Sequence, residues 1–383
     1  MALDSPAFFH VRPAAEKGLL HAHDEHRAPS TLSRQAPGPM KSGNYRELIA
    51  EGQQWLSGIG RGEPLLPGIA WGRFVGLLIE AMRPHYFAFG VGAALAGAAA
   101  VRAPAGSSRV AIAAFVAGMG WGVGQLVNDL LDRDTDAINA PGRPLADGRL
   151  PAGPALAAAL LLGLVLLAAL LAVHPAAWTL GPAAVVLLMG YNKAKGIPVI
   201  GNLVFGSINA IAGGLGVLGR LPRQEEALPS ALAALAEALP MLGLILGINA
   251  WFVLANYEKD RLGDRAAGYK TLPLLVGVRA SALVRAVSLP LLAFCILQLD
   301  APPDLPGTVT LTVAAVLGGL SVLPSLLKGT DEAALRGYRL AVPASFLAML
   351  GLAAPLLGGP GLALAALASV ALMEASFLRT NNP

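Results

Sequence analysis

The chain alternates long apolar runs with short polar breaks, and the runs are long enough to cross a ~30 Å hydrocarbon core as helices. They cover approximately residues 85–103, 109–129, 154–174, 176–192, 198–219, 238–257, 280–299, 308–327, 339–357 and 361–377. They lack the short alternating segments of a barrel strand. The pattern therefore predicts an all-α fold, a polytopic membrane helical bundle of nine to ten transmembrane helices. The count turns on the last pair of runs. Ahead of the bundle, residues 1–43 are polar, without the basic-then-apolar order of a secretory leader, and are expected to form a disordered N-terminal extension. His21, His23 and His26 lie there and are read as chance clustering on a tail with no fixed geometry. Residues 44–82 read as an amphipathic, interfacial segment carrying Tyr45, Leu48, Trp55 and Leu56. Residues 83–383 form the transmembrane domain.

Composition agrees with this reading: 55% of residues are hydrophobic and 14% charged, with a mean hydropathy of +0.60. Such a chain is too apolar for an ordinary soluble domain. Lys and Arg gather in alternate connections, among them Arg133, Arg143, Arg149, Lys193, Lys195, Lys259, Arg261, Lys270, Lys328 and Arg336. The opposite connections hold only Arg102, Arg109, Arg220 and Arg223. The excess marks the cytoplasmic side, and the expected location is a multi-pass protein of a bacterial inner membrane. The net charge of +4 fits a basic skirt against lipid headgroups, so no nucleic-acid partner is needed. No obligate protein partner is evident. The single cysteine, Cys295, sits in an apolar run and is read as packing.

Two short acidic stretches carry the candidate chemistry, and each terminates an apolar run. In the first, Asp129, Asp132 and Asp136 fall within a ~60° arc of a helix, with Asn128 on its flank. In the second, Asn256, Asp260 and Asp264 recur at i, i+4 and i+8 within ~80°. Asp134 and Glu258 point off these faces, so their replacement is expected to be mild. Stacked like charges repel, more so near lipid, and a bound cation removes that penalty. Oxygen donors suit Mg²⁺, which keeps waters and bridges carboxylates to substrate phosphates. The sequence thus points to Mg²⁺, with two ions expected, and a diphosphate ligand. The candidate metal ligands are Asn128, Asp129, Asp132, Asp136, Asn256, Asp260 and Asp264, the five aspartates also being the candidate catalytic residues. Arg143 and Lys270 follow the two stretches at similar distances and would take the remaining diphosphate oxygens. Each could equally be an ordinary positive-inside residue.

The residues Asn128-Asp129-x-x-Asp132-x-x-x-Asp136, followed by Asn139 and Arg143-Pro144-Leu145, resemble the first signature of UbiA-type intramembrane prenyltransferases. Asp260-x-x-x-Asp264, followed by Gly268 and Lys270-Thr271-Leu272-Pro273, resembles the second. Tyr191-x-x-x-Lys195 and Arg83-Pro84 match further family elements. The first motif is most similar to chlorophyll synthases. Tyr257 departs from the pattern, since many members carry Asp or Asn there. The resemblance spans residues 75–355 and implies helices around a central cavity, with the two aspartate motifs facing each other. It implies substrate contacts for Asn128, Asn256, Arg83, Arg143, Tyr191, Lys195 and Lys270.

The expected activity is Mg²⁺-dependent transfer of a polyprenyl group from its diphosphate to a lipophilic acceptor at the cytoplasmic face. The acceptor classes left open are aromatic acids, quinone precursors, tetrapyrroles and glycerol phosphates. Two alternatives share some of these features. A membrane terpene cyclase would use the same head-group chemistry and quench the cation internally. A secondary transporter would use intramembrane acids without covalent chemistry, although the acids here cluster at helix ends.

Overall fold

The computed structural model describes residues 45–66, 68–101, 107–222, 227–300 and 303–380. The expected disordered extension, with its three histidines, lies outside the described residues. The described chain is all-helical. Its α-helices are α1 (Tyr45–Gly60), α2 (Trp71–Met82), α3 (Phe87–Ala99), α4 (Ser107–Leu131), α5 (Arg133–Asn139), α6 (Ala152–Val173) and α7 (Ala177–Lys195). They continue with α8 (Ile200–Arg220), α9 (Ala227–Glu237), α10 (Leu239–Lys259), α11 (Arg261–Ala266), α12 (Leu272–Leu297), α13 (Leu305–Lys328) and α14 (Asp331–Thr380).

Among the described residues, seven helices are long and apolar enough to cross a membrane: α4, α6, α8, α10, α12, α13 and α14. Two expected spans fall outside that set. The helix at the first, α3, has 13 residues, and α7 carries Lys193 and Lys195 in its last turn. The last two expected spans are one element, α14, which turns sharply at Gly358 (φ 64°, ψ 167°) between Pro355 and Pro360. That backbone region is open essentially only to glycine, so the turn is written into the sequence.

Neighbouring helices close a ring in the order α3, α4, α6, α7, α8, α10, α12, α13, α14 and back to α3, with α3 also lying against α8 across it. The α3–α8 seam is close because both helices are rich in glycine and alanine. A Cβ at Gly216 would overlap the Ala94 carbonyl, and small residues let membrane helices approach in this way. At one end of the ring, α1 straps three elements. Glu51 pairs with Arg133 of α5 at 2.8 Å, Trp55 lies against Gly153 of α6, and the Tyr45 hydroxyl donates to the Met189 carbonyl of α7.

Glu258 overturns the expectation that its replacement would be mild. It does face away from the acid cluster, but into the interior, where it and Arg285 are both 0% exposed and pair at 3.0 Å. Ser281 and Ser325 donate to the same carboxylate at 3.0 and 3.2 Å, and Arg285 donates to Ser321 at 2.7 Å. The Arg285 guanidinium also covers the Trp251 ring at 4.6 Å. One ion pair therefore joins α10, α12 and α13. The sequence pattern could not show this, because Arg285 sits inside an otherwise apolar run and pairs across space.

Removing one partner leaves an uncompensated buried charge, which costs ~3–5 kcal/mol. Glu258→Ala and Arg285→Ala should each lower the thermal unfolding midpoint in detergent markedly. Replacing both with leucine should be milder than either. Equal stability of the single variants and the parent would refute the pairing.

Candidate functional site

Each acidic stretch is built the same way, as a membrane helix that stops and restarts within one residue. Asp132 lies between α4 and α5 with φ −102° and ψ 15°, and Asp260 lies between α10 and α11 with φ −88° and ψ 8°. The ladder nevertheless carries across both breaks. Asp132 N–H donates to Asn128 O and Asp136 N–H to Asp132 O, each at 2.8 Å; Asp260 N–H donates to Asn256 O at 3.1 Å and Asp264 N–H to Asp260 O at 3.0 Å. Helical phase is thus retained across each kink. Asp129, Asp132, Asp136, Asp260 and Asp264 are all buried, while Asp134 is exposed.

The two segments touch. Gly263 N–H of α11 donates to Asn139 Oδ1 of α5 at 2.9 Å, and a Cβ at Gly263 would come within 2.5–2.6 Å of that amide. Only glycine allows this approach without displacement. A second bridge comes from Tyr269, whose hydroxyl donates to Asp132 Oδ1 at 3.2 Å.

Buried carboxylates need compensating charge, and basic side chains supply it. Arg83 pairs with Asp129 and donates to Gln125. Arg143 pairs with Asp136 and reaches Asp129 at 3.4 Å. Lys195 pairs with Asp264 at 2.8 Å and Lys259 with Asp260 at 2.7 Å. Asn256 Nδ2 donates to Asp260 Oδ2 at 2.9 Å. Arg83 reaches the site from a left-handed backbone (φ 52°, ψ 69°) at the end of α2, a conformation uncommon for a non-glycine residue.

The balance between burial and these partners sets the titration of each acid. Burial pushes Asp136 up to about 7 despite Arg143, and pushes Asp264 up to about 6 despite Lys195. Burial likewise raises Asp132 above the ordinary aspartate value. For Asp260, burial is outweighed by Lys259 and Lys195, and the carboxyl is held below its ordinary value.

The acids close one end of a cavity of ≈ 1050 Å³. Asn128, Asp129, Asp132, Asp136, Asn256 and Asp260 line that end, together with Arg83, Arg143, Tyr191 and Lys195. Beyond them the walls turn apolar, with Trp121, Leu167, Leu170, Leu188, Phe205 and Leu215 among the lining residues. Asp264 stands behind Lys195, its ion-pair partner, and is not part of the wall.

One of the sequence expectations needs revision. Lys270 is exposed and does not line the cavity: the chain turns at Gly268 (φ 76°), which brings Tyr269 inward in its place. Tyr257, where the chain departs from the family pattern, donates its hydroxyl to Tyr191 at 3.0 Å and braces it. Sequence reasoning also missed Lys259, which lines the cavity. Its place three residues after Asn256 on the same helix was the available signal.

For a metal, the donor set is one of hard oxygens. Asp129 and Asp136 each give one oxygen to arginine, while Asp129 Oδ2, Asp136 Oδ2 and Asn128 Oδ1 are buried with no hydrogen-bond partner among the described residues. These orphaned oxygens fit a hard divalent cation. Among the described residues there is no group of three or more His, Cys, Asp or Glu that could hold a metal by itself. An ion here would need further oxygens from a ligand or water.

A family model described as the UbiA prenyltransferase family matches residues 87–336. The digeranylgeranylglyceryl phosphate synthase of Pyrococcus abyssi is 31% identical over 216 residues, which are 55% of this chain and 72% of the relative. Among solved structures, the apo form of a UbiA homologue from Aeropyrum pernix K1 superposes with a TM-score of 0.61 at 18% identity, covering 72% of this chain and 99% of that one. A UbiA homologue from Archaeoglobus fulgidus bound to GPP and Mg²⁺ gives a TM-score of 0.50 at 15% identity, covering 77% and 99%. Both structures share the helical fold.

The contact between α5 and α11 makes a stability prediction. Gly263→Ala should destabilise the protein by ~1–3 kcal/mol through overpacking, seen as a lower thermal midpoint in detergent. Combining it with Asn139→Ala removes the obstructing amide and should recover part of the loss. Strict additivity of the two changes would show that the segments do not meet.

Proposed function

The chain belongs to the UbiA prenyltransferase family, and on that premise we propose that it moves a prenyl group from a prenyl diphosphate to a lipophilic acceptor at the polar end of the cavity. One observation carries the reading: two buried acid segments, interleaved with arginine and lysine, close one end of an otherwise apolar cavity. The donor has the same two-part chemistry. Its tail would gain ~0.8 kcal/mol per buried CH₂, and its charged head would stay among polar groups.

Asp129, Asp132, Asp136 and Asn128 from the first segment, and Asp260 and Asn256 from the second, are the residues that would hold Mg²⁺, one ion at each segment. When bound, Mg²⁺ supplies Lewis-acid charge to the diphosphate oxygens. Arg143, Lys195 and Arg83 would take the remaining oxygens by charge-assisted hydrogen bonds. These cations must first loosen from Asp129, Asp136 and Asp264, so each basic residue is shared between carboxylate and diphosphate. As the allylic C–O bond breaks, its electron pair passes to the departing diphosphate, whose growing charge the same side chains stabilise. The apolar wall excludes water from the allylic cation, and an acceptor nucleophile forms the new bond, its proton passing to the departing diphosphate.

A glycerol-phosphate lipid is the first acceptor to test. The Pyrococcus abyssi relative is named for a glyceryl phosphate product, and Arg83, Arg143, Lys195 and Lys259 are among the basic side chains that line the cavity. The concentration of Lys and Arg in the connections at this end supports a cytoplasmic site. Residues 44–82 are proposed to lie in that interface, with α1 and α2 as their helices.

Purified protein with geranyl diphosphate, Mg²⁺ and a glycerol-phosphate lipid should release diphosphate and yield the prenylated lipid by mass spectrometry. A terpene hydrocarbon formed without acceptor would instead mark a cyclase, and solute uptake by proteoliposomes without new covalent product would mark a transporter. Asp132→Ala and Asp260→Ala should each lower turnover by at least ~10²-fold, whereas Asp134→Ala should stay near the parent.

Metal ligands must be deprotonated, and the acid form of Asp136 persists to about 7. Raising the pH therefore frees ligands. The Mg²⁺ concentration for half-maximal rate should fall between about pH 6 and pH 8, and a flat profile would contradict the assignment.

A further inference from the structure

The apolar part of the cavity contains two polar atoms that nothing among the described residues satisfies. Asn209 on α8 is 1% exposed and lines the cavity. Its Nδ2 donates to the Phe205 carbonyl one turn back at 3.0 Å. That bond fixes the amide orientation and leaves Oδ1 buried without a partner. Trp121 on α4 also lines the cavity, and its Nε1–H is buried and unpartnered as well. The Trp121 ring is held in place by stacking on Phe89 at 5.1 Å and by edge contact with Phe205 at 5.5 Å.

The two groups lie within about one helical turn of each other in depth. Trp121 precedes Asp129 by eight residues, ~12 Å along the helix axis. Asn209 follows Gly201 by the same number, and Gly201 packs against Lys195 and the Tyr257 hydroxyl at the acid end. Phe205, one turn before Asn209, meets Trp121 directly, so α4 and α8 present an orphaned donor and an orphaned acceptor to the same band of the cavity. Unpaired polar groups at membrane depth are costly and mark function. A prenyl tail can satisfy neither, having no donor or acceptor atoms.

Resting on the prenyl-transfer reading above, we propose that Asn209 and Trp121 form a polar subsite for a hydroxyl of the acceptor, about 12 Å below the acid cluster. A hydroxyl donates and accepts, which matches both orphaned atoms. The metal and diphosphate would occupy the upper part of that depth, and the acceptor would span the rest. This makes Asn209 and Trp121 determinants of acceptor choice, separate from donor binding. The same hydrogen-bonding chemistry could come from a buried water, which the test separates from an acceptor hydroxyl.

The full chain in detergent is assayed with geranyl diphosphate and Mg²⁺ against a glycerol-phosphate lipid, 1,4-dihydroxynaphthalene and 1-naphthol. Asn209→Leu and Trp121→Phe are compared with the parent, the second keeping the ring should the first fail to fold. The expected result is a rise of about tenfold in KM for the acceptor that the parent uses, with KM for geranyl diphosphate changed by less than about twofold. Where the naphthalenes are substrates, the preference for the dihydroxy compound should disappear in Asn209→Leu.

An unchanged acceptor KM with a raised thermal midpoint would mean that the amide holds only water, and the proposal falls. Donor and acceptor KM rising together would make these residues part of the tail wall, which also overturns it. A parent protein inactive with every acceptor sinks the prenyl-transfer reading itself, an outcome visible before any variant is made.

Discussion

The structure depends on burying two like-charged clusters against each other at the end of a membrane bundle. Carboxylates in so dry a setting are stable only with nearby positive charge or with a proton. The fold uses both: Arg83, Arg143, Lys195 and Lys259 each take an aspartate, and burial leaves Asp136 and Asp264 protonatable near neutrality. Among the described residues no ready-made metal cage exists, and the basic side chains occupy carboxylate oxygens that a metal could otherwise take. The resting site is therefore a set of ion pairs that substrate and metal would rearrange.

Geometry at the acid end follows from small local choices. A one-residue break at Asp132 and at Asp260 turns each segment without losing its helical phase, and Gly263 lets α11 approach the Asn139 amide. Farther down, the Glu258–Arg285 pair joins α10 to α12 and α13. Glu258 is two residues before Asp260, so the rotation of α10 that aims Asp260 and Asn256 at the cavity is the rotation that buries Glu258 in its partner. Packing on one face and chemistry on the other are set by the same helix.

Much of this was legible in the chain. Apolar runs gave the all-helical membrane fold, and helical spacing separated exposed Asp134 from buried Asp129, Asp132 and Asp136. The features that escaped depend on partners far apart in sequence. Periodicity could not show that Glu258 meets Arg285, because both positions are silent until α10, α12 and α13 are assembled. A turn at Gly268 decides that Tyr269 and not Lys270 faces inward, and sequence spacing counts residues without registering a turn. Asn209 and Trp121 read as ordinary members of apolar helices, and only the cavity reveals that their polar atoms go unmatched.

The sharp bend at Gly358 bears on how the protein is threaded into its bilayer. Leu372 and Ala375, late in α14, line the same cavity as Glu80 and Arg83, while the start of α14 is tied to that end by the Arg261–Asp331 pair at 3.1 Å. The two arms thus form a helical hairpin with almost no loop. Such a hairpin has no charged flank at its tip to be anchored on the far side. Its insertion would be decided by Arg336 and Arg339 before the bend, and the final arm would return as a passenger of the arm that precedes it.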